Sequence, residues 1–344
     1  MTSAVVKAYP PTPVTDVSLG FNYRVAAPTN GSALTPPANA TSADGIYTSN
    51  NLETFWKGVW LYQRITPIVV DAGGTLYSYV RPEANNGLNF TVIIKLPLKN
   101  TAQAAEFVKP LYTALNKIGI LVVANPVPNP DTVTSTSVMK TGVWSGPKNT
   151  YFGSRLLPRA NWDNDTIYNQ TFAAIRATAD LGFTYHSVEH HAPLSLVGYP
   201  GDMNSITPAW RAAISHVTIM DTTFTGFATT TAADFRVRYA RLTKAMDGLR
   251  AVTPTSGAYF NEADVQEPNW QTTFFGPNYS RLTRIKRARD PWGLFWAPTT
   301  PGSEFWKLVT QDDLPTQNGP LCQTGYEDPW DKLEGESKTG GQRV

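Results

Sequence analysis

Asn85-Asn86-Gly87 stands between two strand-like runs, Thr75 to Val80 and Phe90 to Leu96. Asn and Gly tolerate the positive φ that a tight reversal needs, so the two runs are expected to fold back on each other as antiparallel strands. Whatever else the chain forms must pack on that hairpin. Helical spacing of Leu52, Phe55, Trp56, Val59, Trp60 and Gln63 predicts a helix from about Asn51 to Val70, shortened or kinked at Pro67. A second helix opens at Thr101, runs to about Lys117 and closes at Gly119.

The remaining patterns extend the same layer. Thr2 to Tyr9 reads as a strand stopped by Pro10-Pro11, and Val14 to Val25 alternates well enough for another. Asn30 to Asp44 is a Gly, Ser, Pro and Asn loop. Trp144 to Leu157 is mostly extended, Asp165 to Asp180 helical, and Phe183 to His190 a strand after Gly182. Trp210 to Met220 alternates like a strand, Ala232 to Leu249 is a helix, and Ser256 to Phe260 a strand. Pro268 to Phe275 and Tyr279 to Arg289 give two short helices, and a polar, Gly-rich tail begins near Tyr326. Strand, helix, hairpin, helix, strand, helix is the order of an α+β fold: a largely antiparallel sheet flanked by helices on one face.

Composition narrows the partners. The 344 residues carry 41% hydrophobic and 12% aromatic content, enough for a sizeable core. Only 16% are charged and the formal net charge is +2, so no nucleic-acid surface is expected. The densest basic stretch, Arg281, Arg284, Lys286, Arg287 and Arg289, has the spacing of a solvated helix face. No apolar run approaches the roughly 20 residues of a spanning helix, so no membrane partner is expected. Asn-X-Ser/Thr sequons occur at Asn30, Asn39, Asn89, Asn164, Asn169 and Asn278, which points to secretory passage, whereas the N-terminus carries no signal peptide. A natural N-terminus further upstream would reconcile the two.

Self-contained catalytic signatures are missing. Gly73-Gly74 is a turn without the Lys of a phosphate loop, and no Gly-X-Ser-X-Gly elbow occurs. Cys322 is the single cysteine, which excludes an intrachain disulfide and a multi-cysteine zinc site. His186 and His190 share a face of their strand while Glu189 and His191 point the other way, so no metal is expected.

The informative segment is C-terminal. Gly257-Ala258-Tyr259-Phe260-Asn261-Glu262-Ala263-Asp264 is followed by Glu267-Pro268-Asn269-Trp270-Gln271, by Phe275-Gly276-Pro277-Asn278-Tyr279-Ser280-Arg281-Leu282, and by Asp290-Pro291-Trp292-Gly293. This ordered series resembles the C-terminal signature of berberine bridge enzyme-like oxidoreductases of fungal type. Weaker likeness covers Thr2 to Pro10, Gly153 to Arg159 and Asn204 to Arg211.

The resemblance implies a flavoprotein in two parts, an FAD-binding domain and an α+β substrate domain. Residues 1–25 would then end a truncated FAD-binding domain, 26–250 form the substrate domain, 251–325 pack back toward the flavin site, and 326–344 form a flexible tail. Remnants of the FAD-binding domain would lie at both ends. Carried over, Tyr259, Asn261, Asn278 and Tyr279 would flank the FAD, with Tyr259 as a base or proton relay if its pKa is lowered. Glu189, His190 and Tyr185 are candidates for the substrate face, Glu189 and Tyr185 as catalytic groups. No residue matches the flavin-linking histidine or cysteine. The implied function is oxidation of a small secondary-metabolite substrate, an indole or ergot-type alkaloid among the options, by hydride transfer to FAD with O2 as acceptor. The missing FAD-binding domain would be its partner, and the chain alone would be inactive. The competing readings are a secreted, non-catalytic carbohydrate-binding domain and an inert remnant.

Overall fold

The computed structural model of the chain describes residues 12–25, 47–129, 150–197, 204–221, 231–310 and 319–325. The expected strand Thr2–Tyr9, the loop Asn30–Asp44, the start of the extended run at Trp144 and the tail from Tyr326 lie outside them. In chain order the elements begin with β1 Val14–Tyr23, β2 Tyr47–Ser49, α1 Leu52–Arg64 and α2 Thr66–Asp71. Next come β3 Thr75–Glu83, β4 Gly87–Pro97, α3 Thr101–Lys117, β5 Pro126–Asn129 and β6 Tyr151–Pro158. Then follow α4 Asp165–Asp180, β7 Thr184–Glu189, α5 Leu194–Val197, α6 Ala209–Ala212 and β8 Ala213–Asp221. The chain continues through α7 Ala232–Ala245, α8 Asp247–Ala251, α9 Trp270–Phe275, α10 Tyr279–Arg289, β9 Trp306–Leu308 and β10 Leu321–Gln323.

The fold is α+β with a mainly antiparallel sheet. Its strand order is β2-β1-β4-β3-β7-β8-β6, with β5 also on β1 and only the β1–β2 pair parallel. The hairpin turns where expected, but Asn85 and Asn86 take the positive φ rather than Gly87. β1 pairs with β4 along its whole length, so the sheet begins before the boundary expected at residue 25.

Register explains the covered face. Phe21, Phe90, Val80, Tyr185 and Ile219 form one row across five strands, and Val17, Ile94, Leu76, Glu189 and Ser215 form another. All ten are buried. Helix α1 lies over these rows, its N-terminus capped by Asn51 accepting from the Thr54 amide. Phe55 meets Phe21 edge to face at 5.4 Å, and Tyr62 lies 5.0 Å from Phe90. The approach is close because Gly58 has no side chain: a Cβ there would sit 2.4 Å from Ile120 and 2.7 Å from Phe21. Ile65 ends α1 and Pro67 starts α2, which is the break expected at that proline.

Three expected elements differ. Trp210 to Met220 is not one strand. Pro208 allows a single helical turn, α6, before β8 begins, and β8 is buried on both faces instead of alternating. Ser256 to Phe260 is extended but forms no strand, and Phe260–Glu262 is a turn of 3-10 helix. The helix expected at Ala232 to Leu249 is divided at Met246.

Candidate functional site

The opposite face of the sheet is covered at β6 and β8 by α6 and the C-terminal segment but is partly accessible over β3 and β4, and its register gathers polar aromatics. Thr91, Tyr79, His186, Thr218 and Ser154 form one row, and Ile93, Tyr77, Val188, His216 and Leu156 the next. Tyr79 and His186 stack with ring centroids 4.1 Å apart and planes at 12°. Tyr77 and Ile93 are 38% and 42% exposed, unusual for apolar side chains in mid-sheet.

At the β6 side of this face the C-terminal segment joins the sheet. The Leu156 amide donates to Gly257 O at 2.8 Å and Ser256 Oγ to Leu156 O at 2.7 Å. The segment can lie this close because Gly257 lacks a Cβ, which would otherwise stand 2.6 Å from Thr273 O. Its path delivers Tyr259, whose amide donates to Ser154 Oγ at 3.1 Å. Ser154 Oγ in turn lies 3.0 Å from His216 Nε2. The Trp210 ring stands 5.4 Å from both His190 and His216 and 5.7 Å from Tyr259, and His216 meets Tyr259 edge to face at 5.4 Å. Four separate stretches thus contribute one aromatic and imidazole cluster.

Burial keeps that cluster neutral. The His216 imidazole is pushed down to about 3 by burial, with His186 and His190 adding repulsion. His186 and His190 are lowered for the same first reason. Thr218 Oγ1 is buried and has no hydrogen-bond partner among the described residues.

The sequence-predicted residues separate into three groups. Tyr259 and Asn261 do meet, Asn261 Nδ2 donating to the Tyr259 hydroxyl at 2.9 Å, although no strand places them. Asn278 Nδ2 instead donates to Ile206 O at 2.9 Å. Tyr279 turns into a satellite core with Trp270 and Phe275, where its hydroxyl donates to Glu304 and its pKa is raised by burial. The third group corrects an expectation. Tyr185 and Glu189, expected on the substrate face, point to the helix-covered side and are completely buried, as the opposite parity of Glu189 and His190 on the strand already implied. There Gln63 Nε2 donates to the Tyr185 hydroxyl at 3.2 Å and Ser187 Oγ donates to Glu189. Burial raises the Tyr185 pKa and pushes Glu189 up to about 7. Ser154, Trp210 and His216 were not singled out from sequence, although Ser154 and Trp210 lie in family-like stretches.

Comparison with known proteins fits this architecture. The structure resembles the VAO-type flavoprotein MtVAO615 of Myceliophthora thermophila C1, with a TM-score of 0.65 at 22% identity over 91% of this chain and 50% of that one. The fold is therefore that of the VAO-type flavoproteins. The family profile "Berberine and berberine like" matches residues 258–300, the stretch that carries Tyr259, Asn261, Asn278 and Tyr279. The bifunctional decalin synthase calF of Penicillium decumbens is 30% identical over 263 residues, 75% of this chain and 44% of its own length. The FAD-linked oxidoreductase patO of Aspergillus clavatus is 28% identical over 316 residues, 91% of this chain and 49% of its own. The chain belongs to the berberine bridge enzyme-like flavoproteins. It spans about half the length of the curated relatives it matches.

Proposed function

We propose that this chain forms the substrate-side wall of an FAD-linked oxidoreductase acting on a small secondary-metabolite molecule, the remaining wall coming from a flavin-binding domain. The observation that carries the reading is the cluster of Tyr259, Trp210, His190 and His216 on the open face of the sheet. A flat heteroaromatic group fits the residues present on this side: stacked rings, neutral imidazoles and the unpartnered Thr218 hydroxyl all face the same way. No glycine-rich phosphate cradle occurs among the described residues, so the diphosphate end of the cofactor belongs to the other wall.

Bound flavin would supply the hydride acceptor. This chain's residues orient the substrate and handle a proton. Asn261 donates into the Tyr259 oxygen, which leaves the phenolic O–H free to point at a ligand atom. Trp210 and His190 wall off water beside it. Neutral His216, held through Ser154, adds no charge to repel an electron-poor ring. O2 as final acceptor and an alkaloid substrate belong to the same proposal, as does passage through the secretory pathway. Of the described sequon asparagines, Asn89 and Asn278 already donate through Nδ2, whereas exposed Asn164 and Asn169 use only Oδ1. Asn164, the N-cap of α4, and Asn169 within it are the glycosylation acceptors this proposal favours. No helix among the described residues is long and apolar enough to cross a membrane.

The test is the visible absorbance spectrum of the purified chain before and after adding FAD, with acid precipitation to detect covalent flavin. A perturbed flavin band is expected, with affinity reduced about tenfold in Trp210→Ala through loss of aromatic stacking. An FAD spectrum identical with and without the chain would overturn the reading.

A further inference from the structure

Arg81 projects from β3 onto the open face, and no carboxylate pairs with it among the described residues. Its position is nonetheless fixed. Nη1 donates to Thr91 Oγ1 at 2.9 Å, and the guanidinium lies 3.8 Å from the Tyr79 ring centroid. Tyr79 in turn rests on His186. Thr91, Tyr79 and His186 are partners in register, so the stack bridges β4, β3 and β7.

Several other arginines among the described residues meet acids, although buried Arg155 is held by Thr253 instead. Arg159 grips Asp71 through two nitrogens at 2.5 and 2.8 Å, Arg176 grips Glu53 at 3.1 and 2.7 Å, and Arg250 grips Glu267 at 3.0 and 2.7 Å. Glu83, two residues from Arg81 and on the same side of β3, faces Arg24 instead at 3.9 Å. Burial disfavours the Arg81 cation, so its half-desolvated charge is a standing cost that an arriving anion would offset. A planar fork of five donors with one committed to Thr91 matches a carboxylate in bidentate geometry. Arg81 itself is two rows along the strand from the exposed pair Tyr77 and Ile93. Its guanidinium leans over the row of Tyr79 and Thr91, one row or about 7 Å from that pair, which offers apolar contact. A cation beside an exposed apolar patch is complementary to an aromatic acid.

We propose that Arg81 receives the carboxylate of a planar aromatic substrate whose ring lies over Tyr77 and Ile93. The inference rests on reading this face as the substrate wall. Specificity for an acid over its neutral amide would then come from Arg81, not from the Tyr259 cluster.

The experiment titrates the full chain with naphthoate and, separately, with naphthamide, followed by calorimetry. Naphthoate is expected to bind about tenfold more tightly than the amide, and the difference to shrink with added salt. In Arg81→Gln the two affinities should converge, while Arg81→Lys should keep part of the preference. Equal affinities in the unaltered chain, or a preference that survives Arg81→Gln, would overturn the assignment. Should Arg81→Gln lose both affinities through misfolding, Arg81→Lys decides the matter, because an undiminished preference in it would overturn the assignment. Failure of FAD to bind sinks the flavin reading but leaves the naphthoate ratio readable. Intact FAD binding with no acid preference sinks the Arg81 assignment alone.

Discussion

The two faces of the sheet are made by the same strands in the same register, yet they have opposite characters. On the covered face, β3 presents Leu76, Ser78 and Val80, all at zero exposure under α1. On the open face the same strand presents Tyr77, Tyr79 and Arg81, partly accessible and stacked on neighbours instead of on a helix. Two-residue periodicity thus lets one strand serve stability and recognition without compromise between them. Along β3, burial is concentrated on one side and accessible polar aromatics on the other, whereas β8 is buried on both.

The sharpest way to break this comparison is a matched pair of truncations. Phe90→Ala, on the covered face, should cost about 3–5 kcal/mol in urea unfolding, through lost burial and the cavity left behind. Tyr79→Ala, on the open face, should cost about 0.5–1.5 kcal/mol, the worth of a stacking contact. Similar costs would mean that the open face is itself a core.

Glu189 sharpens the comparison next, because it is a polar group on the wrong side. Burial pushes its pKa from 4.5 up to about 7. Between those values the folded chain binds more protons than the unfolded one. Stability should therefore be fully present below about pH 4.5, fall as the pH rises to about 7, and level off beyond, a total of about 3 kcal/mol. Glu189→Gln should flatten that slope. Urea midpoints at about pH 5 and about pH 8 check it, and an unchanged slope in the variant would remove Glu189 as the cause.

A further effect is expected at the seam between the faces. Gly257→Ala must displace Thr273 O and should cost about 1–3 kcal/mol by overpacking. The shift should also move Tyr259, so a change in the FAD titration accompanying the loss would tie the seam to the site.

How much of this was legible beforehand depended on how local the cause is. Asp165–Asp180 was readable because spacing and cap are written into the segment itself, Asn164 accepting from the Thr166 and Ile167 amides, and Tyr279–Arg289 was readable from spacing without a side-chain cap. β8 was misread at its start because alternation disappears when both faces are buried, and because a single turn at Pro208 leaves little periodicity. Tyr259 and Asn261 were reached through family likeness, not through the strand argument, which the structure does not support. Ser154 lies dozens of residues from His216 and meets it only through strand register, which no local pattern encodes, and Trp210 joins them from the turn before β8. The same gap explains Tyr185 and Glu189: their residue types looked reactive, but only the sheet decides which way they point.

The hydrogen bonds between β6 and residues 256–259 have a further consequence. β6 pairs with β8 on one side only, and the C-terminal segment occupies the backbone groups of Leu156 on the other. An outermost strand left bare is a template for pairing with another chain. The stretch that carries Tyr259 is therefore also a guard against aggregation, and a chain shortened before it would be driven to self-associate before any question of catalysis arose.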